Sequence, residues 1–334
     1  EANGASSFTL SGTVGGFSNV TITTINNANN GSSPETIKSI KYNAPRDYSS
    51  QDRAVTADDY KVLVKSLYAN AQSVQVYGGE DAATPDYGKV YISIKAKSGS
   101  NLTEVTKTSL VQSLKSFAVA SVTPVIIDPE TTFITLTTTF KYDSSLTTKD
   151  VSTLQTNVLN AVSTYNTDTL EDFTGMFRYS AVGKTIDEAD TSILSNITKV
   201  KMYKYITPTL SSGLKYTLSF NNAFYNPHSG HNATGGGIVS STGFKINDDS
   251  STNEHFLDDD GAGNIRVYYL SGTTRIYTDS TYGTINYTTG EIILTSAHIT
   301  SISNVDGAAS TRVRVFTKPS SNDVIPVRNQ VLSI

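Results

Sequence analysis

Apolar positions along the chain change their period three times, and each change marks a different kind of element. From Thr56 onward, Tyr60, Leu63, Val64 and Leu67 fall at i, i+3, i+4 and i+7, the spacing of an amphipathic helix. "AQSVQVYGG" (71–79) alternates in the manner of a strand and closes on a Gly–Gly turn. "KVYISIKAK" (89–97) predicts a second strand, with Val90, Ile92 and Ile94 on one face. A further helix is expected from Asn101, with Leu110, Leu114 and Phe117 as its stripe. A similar design follows from about Thr123. "TTFITLTTTFKYD" (131–143) predicts a long strand, and because Phe133, Thr135, Leu136 and Phe140 keep no single alternation, a bulge is expected in it. A helix near Thr148 would bury Leu154, Val158, Ala161, Val162 and Tyr165, and a shorter one near Ile186–Leu194 would lead into the strand "ITKVKMYKYI" (197–206).

Beyond Thr207 no helical period persists. "GLKYTLSF", "NIRVYYL", "TRIYT", "GTINYTTGEIIL" and "TRVRVFT" predict strands or hairpins, and "YTTGEI" (287–292) carries a turn with Gly290 at its tight position. At the other end, residues 1–43 are rich in Gly, Ser and Asn, with Phe8–Leu10 and Val20–Ile25 as short candidate strands and "NNANNGSSPE" (26–35) as a loop. The pattern predicts an α+β protein: a β or linker segment over 1–43, small α+β modules over 44–122 and 123–206, and a β-rich domain over 207–334.

Composition narrows the function classes. With 334 residues the chain is long enough for two or three domains, each with its own core. Lys and Arg total 26 against 30 Asp and Glu, a net charge of −4, which gives no pull toward nucleic acid or an anionic membrane surface. No apolar run is long enough to span a bilayer. No leader opens the chain, which starts at Glu1 and is expected to be processed or part of a longer polypeptide. The absence of cysteine removes disulfides, thiolate nucleophiles and Cys-based metal sites together, and suits assembly in a reducing cytoplasm.

The residues able to carry chemistry have plainer readings beside the chemical ones. Asp58 and Asp59 form a carboxylate pair, but Thr56 stands where an N-cap belongs and Asp59 three residues on, a capping box with Val55 and Tyr60 placed as a hydrophobic staple. Asn101 with Glu104, Thr147 with Asp150, and Thr185 with Glu188 repeat that spacing. "VGKT" (182–185) matches the end of a phosphate-binding loop, but the glycine required five residues before Gly183 is Arg178. His228 and His231 form H-x-x-H in a glycine-rich loop, a solvated loop or half of a divalent-ion site at a subunit contact. "DDDGAGN" (258–264) offers calcium three carboxylates, but Asp258, Asp259 and Asp260 are contiguous, and a turn with Gly261 and Gly263 at positive φ fits better. No G-x-S-x-G elbow is present, so no catalytic, cofactor-binding or metal-binding residue is assigned.

One stretch carries a resemblance more specific than any of these motifs. "RAVTADDYKVLVKSLYANAQSVQVYGGE" (53–80) resembles the baseplate J-like proteins of contractile phage tails through Arg53, Ala54, Val55, Thr56, Asp59, Tyr60, Ala71 and Val74. "GGEDAATPDYGKVYISIKAKSG", "LTEVTKTSLVQSLKSF", "VIIDPETTFITLTTTFKYD" and "FRYSAVGKTIDEADTSILSNIT" are similar to the baseplate wedge subunit of T-even-type phages, so that residues 40–205 are covered strongly, the β-rich region less so and residues 1–40 hardly at all. The resemblance implies the C-terminal portion of a structural subunit. It would self-associate as a homodimer or higher ring oligomer around the tail hub, contact other wedge proteins and hub or sheath-side subunits, and couple baseplate rearrangement to sheath contraction. It implies a virion component assembled in the host cytoplasm, with no catalytic residues, no cofactor, and no nucleic-acid or membrane partner. Two other classes remain open: a surface-exposed β-rich binding module such as an adhesin or a receptor- or glycan-binding tail protein, and a glycan hydrolase using carboxylates among Asp58, Asp59, Asp187 and Glu188.

Overall fold

A computed structural model describes residues 9–22, 36–51, 53–82, 84–97, 101–249 and 253–334. The expected Phe8–Leu10 and Val20–Ile25 strands fall partly, and the 26–35 loop wholly, outside the described residues; the described parts, 9–10 and 20–22, form no strand, and between them only Val14 and Phe17 make an isolated bridge. The chain divides into two units, Glu1–Pro129 and Glu130–Ile334.

The first unit is a small α+β sandwich. Its helices are α1 (Ile37–Ser50), α2 (Ala57–Leu67) and α3 (Glu104–Lys115), and its strands β1 (Ala71–Gly78), β2 (Lys89–Ala96) and β3 (Thr123–Ile127). β1 and β2 pair antiparallel, with Val74 opposite Ile94, while β2 and β3 run parallel with α3 between them in the chain. The expected stripes supply the core: Tyr60, Leu63 and Val64 of α2, Ile92 and Ile94 of β2, and Leu110 and Leu114 of α3 are buried together. No helical stripe pointed to α1, whose apolar residues Ile37, Ile40, Tyr42 and Tyr48 are exposed and which holds Pro45, a residue that argues against a helix, in its interior.

The second unit is built on β4 (Glu130–Tyr142), α4 (Val151–Tyr165), α5 (Tyr179–Asp187) and β5 (Ile193–Ile206), followed by β6 (Gly213–Ser219), β7 (Ser240–Ser241), β8 (Phe244–Ile246), β9 (His255–Asp259), β10 (Asn264–Ser271), β11 (Thr274–Asn286), β12 (Glu291–Ile302), β13 (Val313–Thr317) and β14 (Gln330–Ser333). One sheet has the order β14-β4-β5-β13-β7, so strands from both sides of residue 206 lie in it. In the other, pairing of β11 with β12 closes β8 through β12 into a barrel, with β6 added alongside β12. One core serves both: Leu154 aside, the buried residues Val158, Val182, Ile186, Val200 and Met202 join Leu257, Ile265, Ile292 and Val315 in a single cluster. The irregularity expected in the long strand is a register shift between Lys141 and Tyr142. Gly290, in the β11–β12 turn, has φ +71, and a Cβ there would meet the Asn222 carbonyl oxygen.

Several element boundaries differ from the sequence expectation, each for a local reason. α3 is capped by Thr103, whose hydroxyl accepts from the Thr106 amide, rather than by Asn101 with Glu104. α4 is capped by Asp150 itself, which accepts from the Thr153 amide, so Thr147 is not the cap. The helix expected over Ile186–Leu194 is the end of α5: its buried pair Val182 and Ile186 lies one turn apart, and the chain leaves it at a turn in which Asp190 accepts from the Ser192 amide. Thr185 therefore lies inside a helix and donates to the Ala181 carbonyl, and Glu188 stands at its C-terminal end, so the fourth supposed capping pair caps nothing.

Candidate functional site

The carboxylates singled out in the sequence are held in two different ways. At the start of α2, Thr56 Oγ1 accepts from the Asp59 amide at 3.3 Å, and Asp59 Oδ2 accepts from the Thr56 and Val55 amides at 2.8 and 3.1 Å. Burial alone would raise the Asp59 pKa, but those two amides and the Thr56 hydroxyl bring it below the usual carboxylate value. Asp58 pairs with exposed Lys61 at 2.9 Å. The capping box is as expected, but Val55 stays 66% exposed, so no staple buries it against Tyr60.

The acidic run 258–260 ends β9 and is consumed by the fold. Asp258, 1% exposed, accepts from Arg266 Nε at 2.9 Å, Arg275 Nη1 at 2.7 Å and the Tyr277 hydroxyl at 2.9 Å. Asp259 turns the other way: its Oδ1 accepts from the Ile238 and Val239 amides at 2.6 and 2.8 Å, and its Oδ2 from the Tyr287 hydroxyl at 2.6 Å. Burial pushes the Asp259 pKa up against the pull of those three donors, and burial together with the bond to Asp259 pushes the Tyr287 phenol far above its usual value. Asp260 closes the turn by accepting from the Ala262 and Asn264 amides, and Gly261 and Gly263 take φ of +74 and +120. The three side chains thus diverge, and among the described residues no cluster of three or more His, Cys, Asp or Glu could hold a metal ion.

The remaining motifs resolve in the same direction. "VGKT" sits inside α5, where Lys184 points to solvent opposite Glu188 at 3.6 Å, so its amides are helix-bonded and unavailable to a phosphate. Asp187 accepts from Asn196 Nδ2 at 2.8 Å. His228 and His231 meet ring to ring, Nε2 to Nδ1 at 3.1 Å, on an exposed loop next to Tyr225. A cleft of about 700 Å³ is lined by polar groups including Asn226, Thr284, Asn286 and Glu291. No helix among the described residues is long and apolar enough to cross a membrane.

Sequence reasoning missed the partners of the acidic run. Arg266 was legible, since a hairpin turning at 260–264 sets it opposite Asp258. Arg275, Tyr277 and Tyr287 lie on β11 or just after it and reach Asp258 and Asp259 across the intervening β10 or from beyond the end of β11, which no local spacing encodes.

With this geometry in place, comparisons with known proteins give a consistent answer. Residues 56–127 match the family described as "Baseplate structural protein gp6, C-terminal domain I", and residues 130–205 match "Baseplate structural protein gp6, C-terminal domain III". The chain is 29% identical over 232 residues to "Baseplate wedge protein gp6" of Enterobacteria phage T4, a match covering 65% of this chain and 34% of that protein, so it spans about a third of the relative's length. A chain in the 6-fold symmetrised cryo-EM structure of the anti-feeding prophage baseplate aligns with a TM-score of 0.37 and 13% identity, covering 50% of this chain and 37% of that one, too weak a likeness to carry an argument. Two consecutive domain matches and the T4 relative support a baseplate wedge protein: residues 56–127 are similar to C-terminal domain I and residues 130–205 to C-terminal domain III of the gp6 family.

Proposed function

We propose that this chain is a structural subunit of a contractile phage tail baseplate wedge, which self-associates into a ring around the tail hub and couples baseplate rearrangement to sheath contraction. The observation that carries the reading is the pair of gp6 domain matches over 56–127 and 130–205. The site geometry supports it. Of the carboxylates that would serve acid–base chemistry, Asp59 closes a helix cap, Asp187 accepts from Asn196 at a helix end, and Asp58 and Glu188 face the lysines Lys61 and Lys184 on their own helices. A ring needs either a head-to-tail contact that closes or alternating contacts, and both require self-association. Light scattering on the full chain at tens of micromolar is expected to give a dimeric or larger mass. A strictly monomeric mass overturns the ring-forming part of the reading.

The alternative, a glycan-binding module, has the polar cleft around Asn226 and Glu291 in its favour. It is tested by a glycan array probed with the whole chain, because β13 and β14 complete the sheet of β4 and β5 and cannot be cut away with the barrel.

A further inference from the structure

The two faces of the β14-β4-β5-β13-β7 sheet differ in kind. Along β5 from Lys199 onward, beyond the register shift at its start, the even positions Val200, Met202 and Ile206 are buried in the core, while the odd positions Lys199, Lys201, Tyr203 and Tyr205 lie on the other face. On that outer face the register sets Phe133 opposite Tyr203, and Tyr203 opposite Phe316, a row of rings across three strands. The Phe133 and Tyr203 rings stack at 4.9 Å, Phe316 lies 5.2 Å from Tyr203, and Tyr205 lies 5.5 Å from it. All four are only partly buried in the chain.

Cations surround this row. Arg312 lies over the Tyr205 ring at 4.0 Å, and Arg314 pairs at 2.8 Å with Asp306, itself 76% exposed. Beyond the rings, Lys199 and Lys201 are exposed at successive outer positions of β5, opposite Thr137 and Thr135, and Lys141 is exposed on β4. Two lysines on one face of a strand stand about 7 Å apart and repel each other. None of the three has an ion-pair partner among the described residues, in a chain whose net charge is −4. The short threonines between them leave the sheet surface open to close approach.

We propose that this outer face docks a carboxylate-rich segment of a partner protein, its acidic side chains meeting Lys199 and Lys201 and its apolar side chains packing against Phe133, Tyr203 and Phe316. Aromatic anchors beside arginines, rimmed by uncompensated charge, are the chemistry of a protein-binding centre. Nucleic acid is disfavoured because bases need free ring faces, and here Phe133 and Tyr203 cover each other while Arg312 covers Tyr205. A two-fold contact of this face with itself would press the lysine rows together. The proposal rests on the reading of the chain as an assembly subunit and names the chemistry of one of its partners.

The test uses the full chain and a fluorescein-labelled peptide of alternating Glu and Tyr, read by anisotropy, with labelled (dT)12 as the competing polyanion. Wild type is expected to bind the peptide, more weakly as salt rises. Lys199→Glu/Lys201→Glu is expected to lower affinity about tenfold or more. The charge-matched control Lys65→Glu/Lys115→Glu, in the first unit, is expected to change it less than about twofold. Lys199→Gln/Lys201→Gln is expected to fall between wild type and the reversal. A thermal melt matching wild type separates lost docking from lost fold. No peptide binding, an equal loss in the control pair, tighter binding of the oligonucleotide, or a drop in oligomeric mass on charge reversal (which would make the occupant a second copy) each overturns the proposal. A dimeric wild-type mass without peptide binding overturns the docking face alone, and a monomeric mass with peptide binding overturns only ring formation.

Discussion

The chain writes Asp–Asp at 58–59 and again at 258–259, and the two units treat the same dipeptide in opposite ways. In the first, both carboxylates stay near solvent. Asp59 receives amides that a helix start leaves free in any case, and Asp58 holds a surface lysine. In the second, both are buried at the end of β9, and alternation sends them to opposite sides: Asp258 to two arginines and a tyrosine, Asp259 to two amides and a tyrosine. A helix end uses a carboxylate by local geometry and tolerates its loss. A closed barrel uses it as a brace between segments distant in sequence, and its loss leaves several donors stranded in the interior.

The sharpest way to break the comparison is Asp259→Ala. It strands the Ile238 and Val239 amides and the Tyr287 hydroxyl, at about 1–3 kcal/mol for each buried donor left unpaired, so urea unfolding is expected to show a loss of several kcal/mol. Gly237→Ala attacks the same brace from the other side. Gly237 has φ +70, and a Cβ there would fall 2.0 Å from Asp259 Oδ1, so the residue that lets the backbone wrap the carboxylate cannot gain even a methyl group without displacing it. Asp258→Ala is expected to cost less, about 2–3 kcal/mol in the same assay, because Arg266 and Arg275 are 18% and 34% exposed and water recovers part of their solvation.

That ordering also explains what could be read from the sequence. The Thr56–Asp59 cap, the stripe of Tyr60, Leu63 and Val64, and the glycine turn at 261–263 depend on residues within a few positions of each other, and all three were legible. The α5 boundary was misplaced because "TIDEAD" has capping spacing although Val182 and Ile186 had already set the helix one turn earlier. The barrel closure, the return of β13 and β14 into the β4–β5 sheet, and the reach of Tyr287 to Asp259 join residues tens to hundreds of positions apart. Periodicity reports which face of an element is apolar, not which element covers it.

The pH dependence of stability should separate Asp190 from Asp259. The Asp190 pKa is held well below its usual value, first by the bond from Lys149 at 2.6 Å and then by the Ser192 amide and hydroxyl. Its contribution is therefore present above the unfolded value of about 3.9 and is lost as pH falls through the lower folded value. The Asp259 pKa is raised, so its contribution is full below about 3.9 and is lost as pH rises through the folded value. In urea titrations from pH 2 to 7, Asp190→Asn is expected to flatten the acid limb of the stability curve, and Asp259→Asn to remove an opposing loss at higher pH. A wild-type acid limb unchanged by Asp190→Asn would show that the Asp190 pKa does not differ between the folded and the unfolded chain.

The smallest effect is expected at the first dipeptide, and its size is what separates a cap from a catalytic group. Thr56→Ala removes the acceptor for the Asp59 amide and should lower stability by about 1 kcal/mol. Asp59→Asn keeps an oxygen for the Thr56 amide and gives up only the charge that complements the helix end, so a few tenths of a kcal/mol should be lost, less in high salt. Combining the two should cost less than the sum, because the two side chains serve one motif and the first substitution already disables half of it. Asp58→Asn should cost less still, since its partner Lys61 is exposed. An acid–base carboxylate would show the reverse pattern, with stability nearly unchanged for Asp59→Asn and turnover of a glycan substrate abolished. A measurable salt-dependent loss of stability in Asp59→Asn, with no hydrolysis by wild type to lose, places Asp59 with the helix it starts rather than with a reaction.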